Sequence, residues 1–130
     1  YAPIDWTPDG KSITFFTNNN SIHSVPFEGG ESKLISEIYS VNSQRELAWS
    51  PDGKELAYTD QGKIWIYTPG SGTTKEVKTG VSALATKIGW SPDGKKIAFT
   101  AFAGGDTELW LMENFLPLEG LTEKNYEKRE

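Results

Sequence analysis

The chain is 130 residues long, with 36% hydrophobic, 12% aromatic and 24% charged residues and a formal net charge of −5. This balance fits a globular soluble protein, or part of a larger core, and argues against disorder. The 13 Lys and Arg against 18 Asp and Glu form no basic stripe able to displace counterions from phosphates, which argues against a nucleic-acid partner. Without cysteine there are no disulfides or cysteine-ligated metals, and no apolar run approaches the roughly 20 residues of a membrane span.

The opening segment YAPIDW carries neither an initiating Met nor a signal sequence, and is read as the start of a processed protein or an excised piece. Within it Ile4 and Trp6 alternate at period two, as a short strand does. The turn that follows has Pro8 to pre-set φ, Asp9 to bond its own backbone and Gly10 to accept the left-handed conformation. SITFF is the next strand, TNNN a tight connection, SIHSVPF a third strand and SKLISEI a weaker fourth.

The same succession returns from Leu47 and Trp49, through the turn Pro51, Asp52, Gly53, Lys54, to ELAYT, DQGK, KIWIYT and TKEVKTG, with GSG at 70–72 a hairpin loop. It returns again from Ile88 and Trp90, through Pro92, Asp93, Gly94 and Lys95, to KIAFT, FAGGD and TELWLME, with EGLTEK as the fourth strand. NFLPLEG reads as an apolar loop over the rim of the last unit. The final EKNYEKRE, with six charges and no periodic apolar face, reads as a frayed tail.

Repetition is the strongest signal. The turn proline recurs at Pro8, Pro51 and Pro92, a period of 43 and then 41 residues. Trp6, Trp49 and Trp90 share a column, as do Asp9, Asp52 and Asp93; Gly10, Gly53 and Gly94; and Lys11, Lys54 and Lys95. KIWIY and ELWLM are apolar on both faces, so each needs a neighbouring sheet on either side. The fold class expected is all-β: four-stranded antiparallel blades of a β-propeller, about residues 1–43, 44–85 and 86–122, followed by a charged tail at 123–130. A two-sheet sandwich would have a similar strand count, but no reason to repeat one turn in register.

Chemistry is sparse by comparison. His23, the sole histidine, lies mid-strand in the column of Trp65 and Trp110, as a packing or half-exposed residue does. There is no nucleophile elbow, P-loop or dinucleotide fingerprint. Asp5, Asp9, Asp52, Asp60, Asp93 and Asp106 could offer oxygen ligands to calcium, but no segment has ligand spacing and three of the six belong to the repeated turn. Neither a metal nor a cofactor is expected. In a propeller equivalent loops gather on one face, so Asp9, Lys11, Asp52, Lys54, Asp93 and Lys95 are expected to form a charged arc, for solvation or for a partner.

DWTPDGKSITF, AWSPDGKELAY and GWSPDGKKIAF resemble the WD-type repeat of TolB-like β-propellers, with ELWLME and LEGLTE resembling that family's outer-strand positions. The likeness runs from residue 4 to about 122, and the signature falls on Trp6, Pro8 and Gly10, Trp49, Pro51 and Gly53, and Trp90, Pro92 and Gly94. Thr7, Thr14 and His23 depart from it in the first unit. The resemblance implies a non-catalytic module of the periplasm or cell envelope that binds a protein or polymer partner. As the alternative to that leading reading, it allows the substrate-gating propeller of a prolyl-oligopeptidase-type or tricorn-type peptidase, whose catalytic residues would lie elsewhere. A related lyase activity needs more histidine than one. Such propellers have six blades, so three units imply either a fragment or two copies completing a ring.

Overall fold

The computed structural model describes residues 3–38, 45–81, 83–113, 115 and 126–129. Within them twelve strands form three four-stranded sheets, each an antiparallel meander in chain order. The first sheet contains β1 (Ile4–Trp6), β2 (Ser12–Phe16), β3 (Ser21–Pro26) and β4 (Lys33–Glu37). The second contains β5 (Leu47–Trp49), β6 (Leu56–Asp60), β7 (Lys63–Thr68) and β8 (Thr73–Val77), and the third β9 (Leu84–Trp90), β10 (Lys96–Ala103), β11 (Asp106–Glu113) and β12 (Tyr126–Arg129). These are the blades of a β-propeller, in the order the repeats set.

One hairpin starts every sheet, in one register: Trp6 faces Ile13, Trp49 faces Leu56 and Trp90 faces Ile97. The glycine closes the turn by donating its N–H to the residue before the proline, at 2.8–2.9 Å for Gly10 to Thr7, Gly53 to Ser50 and Gly94 to Ser91. Its φ is 71°, 72° and 73° in the three copies, a left-handed value open to glycine at little cost.

Register sorts the side chains into two faces. In the second sheet Leu47, Tyr58 and Trp65 lie in one row, and Trp49, Leu56 and Tyr67 in the next. This face meets the first sheet, where Phe16, Ile22 and Ile38 join Leu47, Leu56 and Tyr58 in a buried cluster. The opposite face, with Ala57, Ile64, Ile66 and Val77, packs against Ala85, Ile97, Phe99, Ala101 and Met112 of the third sheet. All five residues of β6 are therefore buried. The apolar-on-both-sides pattern of KIWIY has its cause here: Ile64 and Ile66 point one way, Trp65 and Tyr67 the other.

The end of the chain departs from the expected layout. The segment EGLTEK, read as the last fourth strand, lies outside the described residues. Within the segment read as a frayed tail, Tyr126–Arg129 pairs antiparallel with Leu109–Met112 as the outer strand β12. An edge strand is held by backbone hydrogen bonds, so a charged segment without an apolar face can still fill the place. The loop NFLPLEG also lies mostly outside the described residues. Its Phe115 packs edge-on against Trp90, ring centroids 5.4 Å apart.

Candidate functional site

The meander topology puts the β1–β2, β5–β6 and β9–β10 turns at one end of the stack. There the sequence supplies one hydrogen-bonded device three times. Asp52 Oδ1 accepts from the Ser50 hydroxyl at 2.7 Å and from Lys54 N–H at 3.0 Å, while Ser50 Oγ accepts from Glu55 N–H at 3.0 Å. Asp9 with Thr7, Lys11 and Ser12 reproduces this set within about a tenth of an ångström, and so does Asp93 with Ser91, Lys95 and Lys96. These bonds favour the carboxylate. The Lys11 and Lys54 backbone N–H groups, with the Thr7 and Ser50 hydroxyls behind them, hold Asp9 and Asp52 below the ordinary aspartate value. For Asp93 the Ser91 hydroxyl leads and the Lys95 N–H follows.

Adjacent turns touch. A Cβ at Gly53 would lie 3.7 Å from Pro8 Cδ, and one at Gly94 would lie 3.7 Å from Pro51 Cδ. Pro8 and Pro51 thus each rest on the glycine of the following sheet. The three turns are aligned in a row, with Asp9, Lys11, Asp52, Lys54, Asp93 and Lys95 all exposed. The aspartates each commit an oxygen to closing their own turn, so the row presents charge but assembles no shared ligand cage.

The opposite end holds what sequence reasoning missed. A cleft of about 590 Å³ opens between the second and third sheets, around the Gln61–Gly62 turn, the 78–83 connection and Gly104. Gln61 and Gly62 are both left-handed, at φ 54° and 73°. A Cβ on Gly62 would run into Leu84 Cδ2 and lie 3.1 Å from Leu84 Cα, so glycine is what lets β9 start this close. The Gly62 carbonyl accepts from Ala85 N–H at 2.9 Å and ties the two sheets together here. Leu84 and Phe102, facing each other across β9 and β10, stand 55% and 51% exposed on the cleft. Glu76 lines the wall, with Lys78 at 3.0 Å and Lys63 at 3.5 Å. The Lys78 contact, backed by the Lys63 charge, holds the Glu76 carboxyl below its usual range. DQGK and FAGGD were legible as tight connections, but nothing in either segment signals that two sheets meet there.

The remaining candidates are dispersed. His23 lies on the first sheet, its Nδ1 3.2 Å from Ser32 Oγ and its ring 6.2 Å from Phe15, half-buried as its strand position implied. Asp5 accepts from Trp49 N–H at 3.0 Å and so links the first sheet to the second. Trp49 and Trp90 reach back to the preceding sheet, their indole N–H groups donating to Thr14 Oγ1 and to the Ala48 carbonyl, each at 2.9 Å. Trp6 packs against Phe27 with the rings tilted at 47° and their centroids 5.2 Å apart, and is 46% exposed. Among the described residues no three His, Asp or Glu gather to hold a metal, and no helix is long and apolar enough to cross a membrane.

No family model and no curated protein sequence matches the chain. Solved structures do. TolB from Acinetobacter baumannii is similar over 86% of this chain and 30% of its own, at 24% identity and a TM-score of 0.67. A structure described as TolB from Agrobacterium tumefaciens is similar over 85% of this chain and 41% of its own, at 24% identity and a TM-score of 0.72. The tricorn protease is similar over 85% of this chain and 13% of its own, at 12% identity and a TM-score of 0.69. The chain thus spans less than half the length of each, and has the fold of their propeller blades.

Proposed function

We propose that the chain is a non-catalytic β-propeller module that binds a protein partner. The observation that carries this reading is the cleft between the second and third sheets. Two large apolar side chains, Leu84 and Phe102, stand exposed there beside the Lys63–Glu76–Lys78 ion pairs. Apolar anchors with a charged surround are what protein docking surfaces offer. The turn row at the other end adds a second, purely charged surface through Asp9, Lys11, Asp52, Lys54, Asp93 and Lys95. Likeness to TolB supports a place in the periplasm or cell envelope, and the reading needs neither metal nor cofactor.

A photo-crosslinking residue placed at Leu84 or Phe102 in cells tests this. Discrete adducts with another protein are expected from these positions, and none from Lys33 on the outer strand β4. Absence of adducts from both cleft positions would sink the proposal. The tricorn likeness supports a second reading, a substrate-gating propeller of a tricorn-type or prolyl-oligopeptidase-type peptidase. A hydrolase pattern in the same gene, with adducts only to peptide substrates, would favour that reading instead.

A further inference from the structure

The cleft between the second and third sheets divides into an apolar side and a charged side. Val81, Ala83 and Leu84 come from the connection and strand that open the third sheet, whereas Lys63, Glu76 and Lys78 come from the two outer strands of the second and the residue just after them. Of the described residues lining the cleft only these last three are charged, two cations against one anion, on a chain whose net charge is −5.

Depth separates these charges. The Lys63 and Lys78 side chains are 55% and 81% exposed and the Glu76 side chain 21%, and each lysine approaches a different oxygen of the carboxylate. Glu76 is therefore recessed between two ammonium groups that reach outward. Each ammonium has three donors, so pairing with Glu76 leaves donors for a second acceptor. A ligand entering here meets positive charge first, which attracts an acidic group and repels a basic one. The apolar side is held in place. Leu84 packs on Gly62 where no Cβ would fit, and the Gly62 carbonyl accepts from the adjoining Ala85 N–H at 2.9 Å, yet Leu84 stays 55% exposed. An anchor held this way loses little freedom on binding. The volume of about 590 Å³ falls within the range of ligand sites, roughly 300–1,000 Å³.

We propose that the cleft takes a short acidic and apolar segment of a partner protein. The Asp or Glu carboxylate of that segment sits on Lys63 and Lys78, and a neighbouring Leu, Ile or Phe side chain sits on Leu84. This rests on the protein-docking reading of the cleft and adds which chemistry docks there. A neutral or basic segment lacks the first contact, and a purely acidic one lacks the second.

Selection of random dodecapeptides displayed on phage against the full chain, after removal of those that bind Leu84→Arg, tests this. The enriched sequences are expected to carry Asp or Glu close to Leu, Ile or Phe. A synthetic peptide of the most enriched sequence is expected to bind the Lys63→Glu, Lys78→Glu double variant about tenfold more weakly than the wild-type chain, and to weaken as salt is raised. With lysine in place of its acidic residues, the peptide is expected to prefer the double variant, a reversal that damage to the fold would not produce. Enrichment of neutral or basic sequences, no enrichment, a peptide indifferent to the double substitution, or no reversal would each overturn the proposal. Any of these results alongside crosslinks from Leu84 to a cellular protein would leave protein docking standing and remove only the acidic segment. Failure of both selection and crosslinking would remove both readings.

Discussion

Ser50 does two jobs with one oxygen: it donates to Asp52 and accepts from Glu55 N–H, while only 2% exposed. Ser50→Ala leaves that amide without its acceptor, and a loss of about 1–3 kcal/mol in urea unfolding is expected. Ser91→Ala, at a more open copy of the turn, is expected to cost less. The three turn aspartates add a pH dependence. Their folded pKa values are lowered, so their contribution is complete above the unfolded value near 4 and is lost as pH falls through the lower folded values. Replacing Asp9, Asp52 and Asp93 together with Asn should flatten the fall in stability below about pH 4, as followed by unfolding midpoints. A slope unchanged by the triple substitution would place the acid sensitivity elsewhere.

The sheets are joined by a few polar bonds set in apolar packing. Thr14 is fully buried and accepts from the Trp49 indole, so Thr14→Val removes the acceptor while keeping the shape. A loss of about 1–3 kcal/mol is expected, and Trp49→Phe made in the same background should add less than it does alone. Gly62→Ala is expected to destabilise and to displace Leu84 from the cleft, because the φ of 73° and the nearness of the Leu84 backbone act together. Adding Leu84→Ala should restore only part of the loss. At this scale the sequence was readable wherever the repeat spoke. The columns of Trp6, Pro8 and Gly10 and their counterparts predict a common turn, and all three turns share one register. It was silent where a residue acts once. The Asp5 carboxylate reaches Trp49 N–H across a sheet boundary, and the other units have Ala48 and Gly89 in that column, so no pattern marks it. The cleft was invisible for the same reason, since its walls come from two units and its shape from a single close approach at Gly62.

The whole molecule is a stack in which each sheet is stabilised by its neighbours, so protection should follow position. Amide exchange is expected to be slowest in β6, covered on both faces, and faster in β1 and the outer strand β12. Equal protection in all three sheets of a monomer would contradict this layering. Trp6 shows what repetition alone does not reveal: it shares its column with Trp49 and Trp90, but no sheet precedes it in the described chain. The proline-on-glycine contact gives the stack a direction, because every turn offers a ring forward and an open glycine backward. A unit of this kind is a cassette with matching ends. Duplicating residues 48–88 in frame would insert a fourth sheet whose proline meets the next glycine without any new contact being invented. Lengthening such an array therefore needs no new kind of joint, because each added turn would meet its neighbours through the same proline-on-glycine contact.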